Sequence, residues 1–124
     1  MPNVSSTITD DVISYLAEQR FGRLATVDAK NAPQNNPVGF RYNPEIGTID
    51  IGGHNLTASR KFRNIGKNPA VAFVVDDLVS VRPWHVRCVE IRGRAEALES
   101  PSELIRIYPE RVISFGLAGP PQFG

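Results

Sequence analysis

The run Gly52-Gly53-His54-Asn55-Leu56-Thr57-Ala58-Ser59-Arg60-Lys61 is where residue types and spacing speak most directly of chemistry. It reads as a strand end, a paired-glycine turn and a helix start. A helix N-terminus carries partial positive charge, so Arg60 and Lys61 in the first turn oppose the macrodipole by roughly 0.3–1 kcal/mol each. A bound anion would reverse that penalty. Free backbone N–H groups, the Thr57 and Ser59 hydroxyls and two cations are the parts of a phosphate cradle, and glycines let the backbone come close to a ligand. Arg63 and Lys67 extend the positive charge along the same element. A solvated basic helix behind a turn accounts for the same residues, and physical reasoning alone leaves both readings open.

Other residues carry weaker signals. His54 could hydrogen-bond a ligand or cap its turn, and no carboxylate or nucleophile accompanies it in sequence. Trp84, between Pro83 and His85, sits in an irregular connection where its ring could stack on a planar ligand, fill a contact between subunits or simply pack. Asp76 and Asp77 follow an apolar run and read as a solvated turn whose adjacent side chains point apart. Cys88 has no neighbouring His and no CxxC pattern, which argues against a nucleophile. No GxSxG, HExxH or Walker pattern is present. Protein side chains therefore do not obviously carry a reaction.

The elements that must position these residues are mostly strands. Thr9 as N-cap, Asp10 and Asp11 in a first turn, and Val12, Ile13, Leu16 and Ala17 at helical spacing predict a short opening helix ending before Gly22. From Phe21 the period changes, and short runs rich in Val, Ile and Phe recur between turn signals. Phe21 to Val27 and about Pro37 to Tyr42 predict a hairpin turning near Asp28 to Asn31. Thr48 to Gly52 alternates strictly, Ala70 to Val75 suits a strand covered on both faces, and Cys88 to Ala95 alternates with Gly93 as a bulge or bend. Ile105 to Tyr108 and Val112 to Leu117 complete the set, separated by Pro109. Only Ser59 to Ile65 interrupts with helical character, with Gly66 as C-cap and Pro69 as stop. About seven antiparallel strands and two short helices predict a mainly β Greek-key or split β-barrel, since closure hides sheet edges.

Bulk properties bound the rest. A chain of 124 residues suits a single domain over residues 1–124, with loose termini at 1–8 and 118–124. Apolar residues at 41% and charged residues at 22% are globular values. No apolar run approaches the roughly 20 residues of a spanning helix, and the start lacks a secretory pattern, so a cytoplasmic chain beginning at Met1 and without a membrane partner is expected. One cysteine and two histidines exclude an internal disulfide and argue against a structural metal. A net charge of +1 makes nucleic acid a weak partner.

Four segments taken in order, RFGRLATVDAKNAPQNNPVGFRYN, TIDIGGHNLTASRKFRNIGKNPAVAFVVDDL, PWHVRCVEIRGRAEAL and IRIYPERVISFGL, cover roughly residues 9 to 117. Together they resemble the pyridoxamine 5'-phosphate oxidase-like split barrels, and within them the actinobacterial branch that uses the deazaflavin F420. The resemblance implies a homodimer with the cofactor in a cleft between subunits. It also implies that Asn36, Pro37, Val38 and Gly39 line the ring system, with Ile51, Gly52, Gly53 and His54 beside it. Thr57, Arg60 and Lys61 would take the phosphate, and Trp84 of the second subunit would touch ring or substrate. The implied activity is hydride transfer from reduced deazaflavin to an activated C=C or C=N bond of a small organic substrate, the protein positioning and the cofactor reacting. Members resembling this branch include late-step reductases of tetracycline-type pathways. An FMN-dependent oxidoreductase is the alternative, and a non-catalytic cofactor- or tetrapyrrole-binding protein the third reading. Two departures stand out: the chain is too short for the C-terminal extension that grips substrate in pyridoxamine phosphate oxidases, and Phe115 stands where relatives often show Trp.

Overall fold

In the computed structural model, which describes residues 2–119, eight strands and two helices follow one another as β1 (Asn3–Ser5), α1 (Asp10–Ala17), β2 (Phe21–Val27), β3 (Pro33–Gly39), β4 (Arg41–Asn43), β5 (Thr48–Ile51), α2 (Arg60–Lys67), β6 (Ala70–Ser80), β7 (His85–Leu98) and β8 (Leu104–Phe115). A short 3₁₀ turn, Leu56–Ala58, leads into α2. The strands form one antiparallel sheet in the order β3-β2-β6-β7-β8-β5-β4, with β1 on β8. The edges β3 and β4 are consecutive in the chain and joined only by Phe40, so one bent strand links both edges and curls the sheet into a split barrel.

Pairing register assigns the faces. Leu24 opposes Phe73, which opposes Ile91, which opposes Val112, and all of these side chains are buried. Ile49, Ile51, Ile105 and Ile107 continue the core across β5 and β8 with no exposure. Phe40 packs edge-on to Phe73 with ring centroids 5.3 Å apart. Gly22 lies where a Cβ would overlap the Phe73 ring, so the absent side chain is what admits that ring. Helix α1 buries Val12, Tyr15 and Leu16. The Tyr15 hydroxyl donates to Asp77 at 2.8 Å, and Arg87 bridges Asp77 (2.7 Å) and Glu18 (3.0 Å) while lying over the Tyr15 ring. These contacts tie α1 to β6 and β7. Burial first, then the bond to Asp77, raises the Tyr15 pKa, so the phenol stays a donor.

Several expectations are corrected. The second strand of the hairpin starts at Pro33, not Pro37. Its two prolines are tolerated because β3 is an edge. The two strands expected at Ile105 to Tyr108 and Val112 to Leu117 are one strand, β8 (Leu104–Phe115), and Pro109 sits at a bulge: Arg92 opposes Arg111, Gly93 opposes Pro109, and Glu110 is the extra residue. A Cβ on Gly93 would overlap the Tyr108 carbonyl oxygen, which is why glycine stands there. Asp76 and Asp77 lie within β6, not in a turn, because the strand runs on to Ser80; Asp76 pairs with Arg23 and Asp77 with Arg87. Gly66 is inside α2, whose C-cap is Asn68. Residues 3–5, expected to be loose, pair with β8 as β1. The tail expected to be loose lies beyond residue 119 for its last five positions, outside the described residues. Among the described residues, no helix is long and apolar enough to cross a membrane.

Candidate functional site

The bent β3–β4 strand pairs with β2 up to Gly39, opposite Phe21, and with β5 from Arg41, opposite Asp50. At Phe40 it changes partner, and the sheet forks. On one side of the fork run Asn36, Pro37, Val38 and Gly39; on the other, chain leaves β5 at Ile51 into Gly52, Gly53 and His54. The last β4–β5 pair is Arg41–Asp50, and Gly39 and Gly52 follow it on the two diverging segments, Gly39 paired instead with Phe21. Asn36 shares the inward face with its partner Leu24, yet Asn36 is exposed while Leu24 is 1% exposed, which marks the wall as open there. Val38 and Ile51 are buried core side chains and can offer a ligand only their backbone. A Cβ on Gly52 would meet nothing within 4 Å, and one on Gly53 would meet only Leu56 Cδ1 at 3.6 Å. The glycines thus border free space rather than packed protein. His54 is exposed in the turn that follows, beside Asn55 in the left-handed conformation (φ 55°).

A buried ionic cluster braces β5. The Asp50 carboxylate, 2% exposed, accepts from Arg106 Nε (3.0 Å) and Nη2 (3.1 Å), Asn43 Nδ2 (3.0 Å) and Thr48 Oγ1 (2.9 Å). Burial pushes its pKa up, but the bonds from Arg106, Asn43 and Thr48 outweigh burial and hold the carboxyl below the usual range. The cluster joins β4, β5 and β8 just where the fork begins.

The cations gather one helical face away from where the sequence pointed. A cleft of about 370 Å³ lies between α2 and the β2–β3 turn, lined by Lys30, Arg60, Arg63 and Lys67 with Asp28, Gln34 and Asn64. Arg60, Arg63 and Lys67 fall at i, i+3 and i+7, on one face of α2. None of the four cations takes part in an ion pair among the described residues. The Asp28 carboxylate accepts from the Lys30 and Ala32 backbone N–H groups of its own turn (2.8 and 2.9 Å). Asn64, buried, donates to Thr26 Oγ1 (3.1 Å) and Gln34 Oε1 (2.9 Å), which locks α2 to the hairpin. From Gln34 in this cleft to Gly39 at the fork is five residues of strand, about 17 Å.

The expected cradle is therefore only partly assembled. Arg60 lines the cleft, and Lys61 is not among its lining residues. The Thr57 hydroxyl donates to Glu103 Oε1 at 2.8 Å. Ser59 caps α2 itself: its Oγ donates to the Leu56 carbonyl (2.6 Å) and accepts from Phe62 N–H (3.3 Å). Lys30, Asn64 and Glu103 escaped the sequence reading. Lys30 had a usable signal, a cation in the turn of a hairpin next to a basic helix, but its relevance depends on the hairpin packing against α2.

Trp84 is 61% exposed in the β6–β7 turn, beyond the Ser80–His85 pair. On the outer face of the sheet Leu78 stands opposite Val86, Cys88 opposite Phe115 and Ile113 opposite Val4, with the ion-paired Asp76 and Glu90 among them. Leu78, Phe115 and Val4 are 49%, 42% and 54% exposed, so this face is uncovered in the single chain.

The family model described as pyridoxamine 5'-phosphate oxidase matches residues 8–118. A Streptomyces rimosus protein, 5a,11a-dehydrotetracycline/5a,11a-dehydrooxytetracycline reductase, is 46% identical over 120 residues, covering 90% of this chain and 84% of that protein. Among solved structures, a hypothetical protein from Mycobacterium tuberculosis superposes with a TM-score of 0.75 at 18% identity (97% of this chain, 94% of that one). An FAD-binding protein from Mycobacterium smegmatis gives 0.67 at 18% (88% and 96%). The heme storage protein HutZ of Vibrio cholerae gives 0.66 at 19% (90% and 98%). At these identities the structural matches speak for the split-barrel fold alone.

Proposed function

Because this chain belongs to the pyridoxamine 5'-phosphate oxidase family, we propose that it is an oxidoreductase that holds the deazaflavin F420 between two subunits and reduces an activated C=C or C=N bond. The observation that carries the choice of cofactor is the cleft beside α2. Lys30, Arg60, Arg63 and Lys67 offer four positive charges that make no ion pair among the described residues, against the one carboxylate of Asp28 in the same cleft. The single phosphate of FMN would balance at most two of them. F420 carries further carboxylates on a tail beyond its phosphate, so its anionic end matches the surplus. The roughly 17 Å between cleft and fork suits a ligand with a flat ring at one end and anions at the other.

When bound, the deazaflavin supplies hydride chemistry with little tendency to react with oxygen. The chain's residues do the rest. The open backbone at Gly52 and Gly53 would leave room for the ring edge. Asn36, exposed beside the buried Leu24, would offer a donor and an acceptor to a ring carbonyl or ring N–H. Val38 and Ile51 fix the strands on either side. Arg60, with Arg63 and Lys67, would anchor the anionic end; Lys61 lies outside the lining of this cleft and the Thr57 hydroxyl is bonded to Glu103. A second copy seated on the apolar outer face would cover Phe115 and Trp84 and could bring Trp84 against the partner's ring or substrate.

The relative from Streptomyces rimosus supports a polycyclic enone as substrate class, since its name is that of a dehydrotetracycline reductase. The test is turnover: reduced F420, the purified protein and 5a,11a-dehydrotetracycline, followed by return of the oxidised cofactor's visible absorbance. Oxidised cofactor should appear in step with loss of the substrate double bond. Turnover with reduced FMN alone would favour the flavin alternative, and none with either cofactor would favour a binding protein.

A further inference from the structure

We propose that Gln34 is a ligand-binding residue of the α2 cleft, presenting its amide N–H groups to the anionic end of the bound molecule, and that Asn64 is the positioning residue that turns the amide that way. The identity of that molecule as F420 rests on the cofactor reading above; the direction of the amide does not. Gln34 and Asn64 both line the cleft, with Lys30, Arg60, Arg63 and Lys67 around them. A glutamine side chain donates at one end and accepts at the other, so its value to an anion depends on which end faces out.

Two hydrogen bonds decide this. Asn64 is 6% exposed, and its Nδ2 has two protons to place. One goes to Thr26 Oγ1 at 3.1 Å and the other to Gln34 Oε1 at 2.9 Å. Thr26 is itself buried on β2, so the relay starts from a fixed point in the core. With its oxygen held by Asn64, Gln34 is left with its Nε2 group to offer a ligand. Exposed cations attract an anion from any direction, and salt weakens them. A neutral N–H pair held in one orientation instead selects an oxygen at a set place.

The strand and the helix give this pair its use. Gln34 and Asn36 lie on one face of β3, two residues or roughly 7 Å apart. Arg60 to Lys67 is seven residues of α2, roughly 10 Å along its axis. A molecule that follows β3 away from the fork therefore meets Asn36 first, then the Gln34 amide among the cations, and the cleft is long enough for more than one anionic group. The chemical class that fits is a flat head with a tail bearing two or more carboxylate or phosphate groups.

The test joins side-chain amide NMR to fluorescence titration. In isotope-labelled protein the Gln34 Nε2 resonances, assigned by their loss in Gln34→Met, should shift when oxidised F420 is added. Gln34→Met should bind F420 about fivefold more weakly at both 50 and 500 mM salt, whereas the loss in Arg63→Ala should shrink as salt rises. Asn64→Asp places a group of the same size that only accepts, so Gln34 must give it an N–H and turn its carbonyl oxygen to the cleft. It should weaken binding at least as much as Gln34→Met, and at the higher salt the pair should bind no worse than the weaker single variant. Thermal melts check folding, and Asn64→Ala, which frees the amide without reversing it, takes the place of Asn64→Asp if that variant unfolds. Losses that multiply would mean a merely structural Asn64 and overturn its positioning role. F420 bound with unmoved Gln34 resonances, or with Gln34→Met within twofold of wild type, overturns the proposal and leaves the cofactor reading intact. If F420 fails to bind while citrate, a tricarboxylate, shifts the same resonances, the cofactor reading falls and the role of the amide stands; if neither moves them, both fall.

Discussion

Replacing Asp50 by Asn removes one negative charge from a site that is 2% exposed and leaves Arg106 facing an amide. The amide can still accept from one or two neighbours, so the hydrogen bonds from Asn43 and Thr48 are partly kept. What is lost is the charge opposite a guanidinium that is itself only 23% exposed. Breaking a buried ion pair from one side costs about 3–5 kcal/mol, and water reaching Arg106 favours the low end, about 3 kcal/mol. For a domain of this size that lowers the melting temperature by roughly 10–15 °C. The pH dependence has a definite sign. The Asp50 carboxyl lies below its unfolded value, so its contribution is complete above about pH 4 and disappears as pH falls through the folded value. The gap between wild type and Asp50→Asn, measured by urea or thermal unfolding, should therefore be full at pH 7 and narrow in acid. A gap below about 1 kcal/mol at pH 7, or one that does not change with pH, would refute the account of this cluster.

The cleft yields a contrast between adjacent residues: Arg60→Ala should weaken F420 binding by about 1.5 kcal/mol, near tenfold, while Lys61→Ala changes it little, and equal effects would restore the helix mouth as the anion site. Raising the salt from 50 to 500 mM should weaken wild-type binding more than that of Arg60→Ala, because exposed charges are screened; parallel salt slopes would speak against charge recognition. Leu78→Asp with Phe115→Asp should convert a dimer to a monomer in light scattering, and a wild type that is monomeric at micromolar concentration would remove the subunit arrangement. Gly93→Ala should destabilise by about 3 kcal/mol in urea unfolding, because the new methyl group falls on the Tyr108 carbonyl and the bulge must open; a change under 0.5 kcal/mol would contradict the packing described there.

How far the residues foretold this arrangement depended on the range of the physics involved. Strict alternation in Cys88 to Ala95 placed that strand because burial of one face is a local pattern; the alternation of Thr48 to Gly52 also marked a strand, although β5 is buried on both faces, its polar face by the Asp50 cluster. The split barrel followed from strand number and the need to hide edges. The interruption at Pro109 misled, because a bulge that accommodates proline is created by the partner strand's Gly93, far away in sequence. Asp76 and Asp77 were misread for the same reason: their partners Arg23 and Arg87 come from other strands, and only pairing makes two adjacent acids tolerable within a strand. At the site, Gly52 to Lys61 pointed to the segment that leads into α2, of whose cations Arg60 lines the cleft and Lys61 does not. Its division into a self-capped mouth and a basic flank was not readable, since Glu103 and Lys30 reach α2 from positions more than 25 residues away in sequence.

The most direct test of the account is a parallel equilibrium titration of the purified protein with F420 and with FMN at low salt. The four cations of the α2 cleft, none in an ion pair among the described residues, predict that F420 binds at least tenfold more tightly than FMN, with the difference shrinking as salt is raised. FMN binding as tightly as F420, or more tightly, would contradict it.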